Sequence, residues 1–466
     1  MPSYKLIYFH LTGLAEPIRF LFSYADIEFV DERIDKNDWP KLKPTMPFGK
    51  VPVLEVDGKR INQSKAICRY LAKQCGLAGK NNLESLEIDS AVDTMQDLCE
   101  CIYQNSERAK IEKVEIADET VLCYLKGLDA QVKKNDGYFV GGALTWADLT
   151  FVALLDYMDH RMKRNIVDKY ENLKQLREKV EKIPNIKNWI EKRPPALYED
   201  YVKGRMSRSN WNNYLDTQLR VLRHVTTNSP NETLRELSCS RSVNRFTALS
   251  QSPESEFFRK VIKTMSTYKL TYFNVTGLGE SIRYLLSYLG INFEDVRLNF
   301  DNWPDHKSST PMGQVPVLEI DGKKYHQSRA IGRFLAKKAN LYGSDDVEAM
   351  EIDASIDSMD DARQALSLYY WQQDPAFKEK LKEIAFEKWP YYLNKFEEQV
   401  KKNGGYFVGG KLSWADILWA AYSDYLSFVL NGDPNKDHPE LKKLVDKVRA
   451  LPKIKAYIEK RPKTQL

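Results

Sequence analysis

The chain has 466 residues and a mass of 54.1 kDa, with 42% hydrophobic residues, 29% charged residues, 22 Gly and 20 Pro. That is an ordinary globular mix, enough for about two to four domains, and it excludes collagen-like, coiled-coil and wholly disordered chains. The formal net charge of +5 is concentrated: residues 205–264 carry ten Lys or Arg against five Asp or Glu, and the rest of the chain is close to neutral.

Apolar runs such as Ile417 to Tyr422 fall far short of the ~20 residues of a membrane span. The opening MPSYKLIYFH passes directly into strand-like sequence, with no basic segment followed by an apolar run, so a cytoplasmic protein is expected. The cysteines Cys68, Cys75, Cys99, Cys101, Cys123 and Cys239 match no zinc or CxxC spacing and read as reduced thiols.

In chain order, Lys5–Phe9 reads as a strand and Glu16–Tyr24 as a helix with Ile18, Leu21 and Phe22 on one face. Glu28–Ile34 is a second strand, and Trp39, Lys43 and Lys50 fall in the loop that follows. Val53–Val56, the Asp57-Gly58 turn and Arg60–Asn62 form a hairpin, and Gln63–Gln74 is a helix with Ser64 as its N-cap. This β-α-β then β-β-α order predicts a small mixed-sheet domain. From about Leu83 the pattern is helical, and Thr145-x-x-Asp148 opens a long apolar helix as a capping box.

The same order then recurs. YKLIYFHLTGLAEPIRFLFSY from Tyr4 returns 264 positions later as YKLTYFNVTGLGESIRYLLSY from Tyr268. DWP returns as NWP, GKVPVLEVDGK as GQVPVLEIDGK and QSKAICRYLAK as QSRAIGRFLAK. GYFVGGALTWADL returns as GYFVGGKLSWADI at an offset of 268, so the second copy has gained four residues in its middle. There the aromatic run Tyr369-Tyr370-Trp371 is expected to come with the insertion, opposite Cys101-Ile102-Tyr103 of the first copy. The Arg-, Ser- and Asn-rich stretch between the copies has no counterpart. It is read as a flexible linker with a short helix near 215–224, not as a nucleic-acid or membrane-binding element.

Three features at fixed places suggest chemistry. Tyr8 and Tyr272 end the first strand before a Gly-containing loop, as core residues or as hydroxyls aimed at a ligand. Gln63-Ser64 and Gln327-Ser328 precede a helix N-terminus, either as caps or as a seat for a carboxylate. Val51-Pro52 and Val315-Pro316 precede a strand, where a cis proline would turn the backbone towards an extended ligand.

With these motifs, both copies resemble cytosolic glutathione S-transferases over their whole length, and most closely the sigma class of arthropods. The residues that carry the resemblance are YKLxYF, AEPIR and GESIR, DWP, PFGKVPVLEVDGK, QSxAIxRYL and GKLSWAD. It implies α/β plus all-α architecture: a thioredoxin-like domain at 1–79 and an all-helical domain at 80–204, then the linker 205–264, then the same pair at 265–343 and 344–466. It implies glutathione as co-substrate and a hydrophobic electrophile as second substrate, such as a lipid-peroxidation product.

By the same resemblance Tyr8 and Tyr272 would donate a hydrogen bond to the glutathione sulfur. Trp39 with Lys43, and Trp303 with Lys307, would hold the glycyl end, with Lys50 and Gln314 lining the groove. Val51 and Val315 would pair with the cysteinyl backbone. Gln63 with Ser64, and Gln327 with Ser328, would grip the γ-glutamyl group, while Asp97 and Asp361 would reach it from the other subunit. Leu14 and Leu278 stand where some sigma enzymes carry Arg. Vertebrate prostaglandin-isomerising members bind a divalent ion on an aspartate cluster, and here Asp93, Gln96 and Asp97 face Asp357, Asp360 and Asp361, so no metal is expected. A prostaglandin D synthase-type isomerase and a non-catalytic, crystallin-like or carrier protein are the alternative functions. A linker of ~60 residues spans roughly 40 Å, enough for an intrachain pseudo-dimer, which is preferred to a homodimer of chains.

Overall fold

The computed structural model describes residues 2–112, 119–198, 266–373 and 375–464. The linker, its expected helix, Cys239 and Met265 lie outside them. Among the described residues no helix is long and apolar enough to cross a membrane.

Each copy opens with a four-stranded sheet. In the first, β1 (Tyr4–Phe9) lies parallel to β2 (Val30–Ile34) and antiparallel to β3 (Val53–Val56), which pairs with β4 (Lys59–Asn62), giving the order β2-β1-β3-β4. The helices α1 (Glu16–Tyr24), α2 (Trp39–Leu42) and α3 (Ser64–Gln74) connect and flank it. The short α2 lies where the sequence suggested loop alone, started by Pro40 in its first turn. Asp57 and Gly58 both have positive φ, 49° and 84°, as a two-residue hairpin turn of the primed type requires.

The helical part comprises α4 (Asn82–Glu112), α5 (Glu119–Lys134), α6 (Trp146–Met162), α7 (Glu171–Glu181) and α8 (Pro184–Lys192). The apolar α6 runs through its centre, with Trp146, Leu149, Phe151 and Leu155 buried. Its capping box is formed: Asp148 Oδ2 accepts from Thr145 N at 2.6 Å and Thr145 Oγ1 at 2.8 Å. Asp148 Oδ1 also takes the Phe139 N–H at 2.8 Å, tying the preceding loop to the helix start.

The second copy repeats the order with β5 (Tyr268–Phe273), α9 (Gly277–Leu289), β6 (Glu294–Leu298), α10 (Trp303–Lys307), β7 (Val317–Ile320), β8 (Lys323–His326) and α11 (Ser328–Lys338). Then come α12 (Asp346–Trp371), α13 (Pro375–Lys402), α14 (Trp414–Val429), α15 (Pro439–Arg449) and α16 (Pro452–Lys460). Because α4 and α12 start 264 positions apart and are continuous, Tyr369 to Trp371 stand in register with 105–107. These aromatics are therefore the end of α12 and not inserted residues, and the four extra positions lie beyond Trp371.

The copies meet along α3 against α12 and α4 against α11. At the centre Arg69 bonds Asp89 at 2.7 Å and Asp353 at 2.8 Å, while Arg333 bonds Asp353 at 2.8 Å and Asp89 at 3.1 Å. All four side chains are buried, so each carboxylate depends on a cation from both copies. At the periphery Phe48 packs against Tyr392 and Phe396 of α13, with ring centroids 6.0 and 5.5 Å away. Its counterpart Met312 rests on Gly127 of α5, where a Cβ would come within 2.7 Å of the sulfur.

Candidate functional site

Tyr8 and Tyr272 end β1 and β5 with only 8% of their surface exposed. Each hydroxyl accepts a backbone N–H from the turn that follows its strand, Leu14 at 3.3 Å and, in the first turn of α9, Leu278 at 3.1 Å. Gly13 and Gly277 turn that loop with φ of 45° and 42°, and a Cβ there would lie 2.8 and 2.7 Å from the tyrosine oxygen. Glycine is therefore needed twice over, for backbone angle and for space. Burial raises the Tyr272 phenol above its usual range, so it stays protonated at neutral pH and keeps a hydrogen to donate.

AEPIR and GESIR build the support behind each loop. Arg19 is fully buried and bonds the Leu11 carbonyl at 2.7 Å, Glu16 at 3.0 Å and Asp31 at 3.1 Å. Arg283 does the same with Val275, Glu280 and Asp295 at 2.9, 3.1 and 3.0 Å. Each guanidinium also sits 5.9 Å from its tyrosine ring centroid. The arginine thus fixes both the loop and the ring that the loop encloses.

The Val51-Pro52 and Val315-Pro316 bonds are both cis. Gln63 and Gln327 have φ of 76° and 70°, a left-handed conformation that glutamine adopts rarely. This corrects one expectation. The residue at the N-cap is Gln63 or Gln327, and Ser64 and Ser328 are the first helical residues, because the left-handed turn places the chain reversal one position earlier.

One cleft of about 580 Å³ runs between the copies. It gathers Lys50, Val51, Gln63, Ser64 and Asp97 with Trp303, Gln314, Val315, Gln327, Ser328 and Asp361. Tyr8 and Tyr272 stand behind its Leu14 and Leu278 walls. Trp39, Lys43 and Lys307 are not among its walls: Trp39 packs edge-on against Phe9 at 5.3 Å, and both lysine stems lie over Gly49 and Gly313.

Carboxylates cross from one copy to the other. Asp361 accepts from Gln63 at 2.9 Å and pairs with Lys50 at 2.6 Å. Asp97 accepts from Gln327 at 2.8 Å and lies 3.5 Å from the Gln314 amide. Burial alone would lower the Lys50 pKa, but the Asp361 carboxylate outweighs it and holds the ammonium well above its usual range. Asp97 has no such partner, and burial pushes its carboxyl up.

Residues absent from the sequence-based list complete these contacts. Tyr124 accepts from Gln314 at 2.9 Å, and the Tyr392 ring lies 5.3 Å from the Lys50 ammonium. The two tyrosines stand 268 positions apart, the repeat's own offset, and that identity was the available signal. Among the aspartates, Lys65 lies 2.7 Å from Asp93 and 3.7 Å from Asp357, and Arg329 lies 2.7 Å from Asp360. Phe273 lines the cleft, and behind it a chain of aromatic contacts runs on: Phe273 stacks on Phe300 at 4.6 Å, Phe300 meets Trp371 at 5.5 Å, and Tyr370 meets Phe428 at 5.3 Å. The first copy has Lys36 in place of Phe300.

Comparison with known proteins follows the same division. The family model described as glutathione S-transferase, N-terminal domain, matches residues 4–73 and 268–337, and the one described as glutathione S-transferase, C-terminal domain, matches 92–193 and 359–461. A glutathione S-transferase of Anopheles gambiae is 44% identical over 199 residues, which is 42% of this chain and 98% of that protein. Glutathione S-transferase S1 of Drosophila melanogaster is 44% identical over 41% of this chain and 79% of its own length. Hematopoietic prostaglandin D synthase of Mus musculus is 43% identical over 42% of this chain and 98% of its own length.

Proposed function

Because the chain belongs to the glutathione S-transferase family and carries its two domains twice in tandem, we propose that each copy holds one glutathione and that the other copy completes the site. The protein is a glutathione transferase with glutathione as co-substrate. The observation that carries the two-site reading is the reciprocal crossing of Asp361 to Gln63 and of Asp97 to Gln327.

In this reading Tyr8 and Tyr272 donate to the glutathione sulfur and stabilise its thiolate. Gln63 with Ser64, and Gln327 with Ser328, take the γ-glutamyl carboxylate at the helix N-terminus. Asp361 and Asp97 face the γ-glutamyl ammonium. Val51 and Val315 pair with the cysteinyl backbone. Trp39 with Lys43, Trp303 with Lys307, and the groove residues Lys50 and Gln314 hold the glycyl end. The two copies pair within one chain, in the cytoplasm, and the domain limits are those expected from the sequence.

Magnitudes limit what the tyrosine contributes. A thiol of pKa about 8.5 is ~3% ionised at pH 7, and lowering it by about two units gives ~75%, roughly 25-fold more thiolate. Nucleophilicity falls by about 8-fold over the same shift, so the net gain is a few-fold. The rest comes from holding the electrophile beside the sulfur. The walls beyond the tyrosines therefore set specificity, and the aromatic wall of Phe300, Tyr370 and Trp371 fits the second site for planar hydrophobic electrophiles.

Conjugation of a model aryl halide by full-length protein tests this reading. Tyr8→Phe and Tyr272→Phe should each remove the depressed thiolate pKa at one site, and the double variant should remove both. Light scattering should give the mass of one chain, 54.1 kDa. Twice that mass would overturn the intrachain pairing, and conjugation unchanged in the double variant would overturn the tyrosine assignment.

A further inference from the structure

The end of the first groove assigned to the glycyl carboxylate is bordered by a helix of the other copy. α13 packs there through one row of side chains. Phe396 and Tyr392 receive Phe48, with ring centroids 5.5 and 6.0 Å away, and the Tyr392 ring lies 5.3 Å from the Lys50 ammonium. The neighbouring Tyr391 hydroxyl stands 3.4 Å from where a Cβ on Gly49 would be, beside the stem of Lys43. Residues four apart on a helix share a face, so the row through Phe396 and Tyr392 continues to Lys388, one turn nearer the start of α13. The second copy thus brings a third lysine to the edge that already carries Lys43 and Lys50.

Lys388 is exposed, and among the described residues no carboxylate lies within ion-pair distance of it. Desolvation by the surrounding protein, then the like charges of Lys50 and Lys43, hold its amine below the ordinary range. Glu387 and Asp361 offset them only in part. Lys50 is already committed to Asp361 at 2.6 Å. A carboxylate arriving from solution at this edge therefore meets ammonium groups whose mutual repulsion it relieves.

The second groove is built otherwise. By the offset of 268 that relates Tyr392 to Tyr124, the counterpart of Lys388 is Thr120, a neutral residue on the cleft wall. Gln314 stands in place of Lys50, so of the three lysines only Lys307 has been kept there.

We propose that Lys388 of the second copy is a binding residue of the first groove, where it receives the C-terminal carboxylate of glutathione. It makes the first groove the more selective of the two for a thiol peptide with a free acid at that end. The proposal rests on the two-site reading above.

The test uses full-length protein carrying Tyr272→Phe, so that thiolate absorbance reports the first groove alone. Glutathione and its glycyl ethyl ester, which lacks the charge at that end, are titrated at low, constant ionic strength. Lys388→Gln should weaken glutathione roughly three- to fivefold, the upper range for an exposed ion pair, and should leave the ester unchanged. Lys388→Arg should keep the preference for the free acid. With Tyr8→Phe instead, which isolates the second groove, Thr120→Lys should strengthen glutathione by a similar factor and again spare the ester. A first-site thiolate whose affinity for glutathione is indifferent to Lys388→Gln, or falls equally for glutathione and ester, would overturn the proposal alone. Absence of any first-site thiolate before Lys388 is altered would overturn the two-site reading, and the proposal with it.

Discussion

The two grooves share a backbone and differ in charge. Both have a tyrosine enclosed by a glycine turn, a cis Val-Pro bond and a left-handed glutamine before a helix. In the first groove the crossing carboxylate, Asp361, is neutralised by Lys50 beside Tyr392. In the second, Gln314 replaces the lysine and turns to Tyr124, and Asp97 remains half-buried without a cation within ion-pair distance. On the proposed reading, the comparison teaches that duplication has kept what positions the thiol and altered what receives the charged ends of the peptide.

The largest expected effect strikes both grooves at once. Arg69→Ala leaves Asp89 and Asp353 with one cation between them, and losing a buried partner of this kind costs about 3–5 kcal/mol. Urea unfolding should show that loss, and glutathione binding should weaken at both sites together. Weakening at one site alone would mean that the copies do not complete one another.

Next comes the difference in the crossing carboxylates. If Asp97 faces the ammonium at the second site as proposed, Asp97→Asn removes that charge, and a charge-assisted bond of about 1.5–3 kcal/mol corresponds to roughly 10- to 150-fold weaker binding there. Asp361→Asn should cost less at the first site, because Lys50 already neutralises that carboxylate and is then free to hold a glutathione carboxylate. Calorimetry on each variant measures both, and equal losses would remove the distinction.

A smaller, several-fold effect should follow ionic strength. The first site should lose affinity faster than the second as salt rises, since Lys50 is half-exposed and screened. The exchange Lys50→Gln with Gln314→Lys should reverse the order of the two sites.

The last effect is absent at neutral pH and appears only in acid. The His326 ring bonds Thr94 across the copies at 3.1 Å, and burial lowers its pKa to about 4 from an ordinary 6.5. The folded state thus resists a proton that the unfolded chain accepts, so this group's stability is fully present above pH 6.5 and is lost as pH falls towards 4. Its counterpart is Asn62, so His326→Asn should flatten the stability curve in that window. A curve unchanged by the substitution would show that the ring does not titrate there.

The parts legible in the sequence are those that the repeat states twice in local words. Tyr8 with Gly13, the Val-Pro bonds and the capping boxes each lie within a few residues of their partners, so spacing exposes them. The left-handed backbone of Gln63 was not legible, because glutamine has no preference for positive φ. Tyr124 and Tyr392 were missed because their partners Gln314 and Lys50 lie on the other copy, and no local pattern encodes a contact of that span. The aromatic end of α12 was misplaced because helix continuity, not residue similarity, sets its register with α4.

The account turns on two unequal glutathione sites in one chain, and thiolate absorbance against pH with saturating glutathione tests it most directly. It predicts two thiolates per chain, both with midpoints well below about 8.5, one of which disappears in Tyr8→Phe and the other in Tyr272→Phe. A single thiolate per chain, unaffected by one of those substitutions, would contradict it.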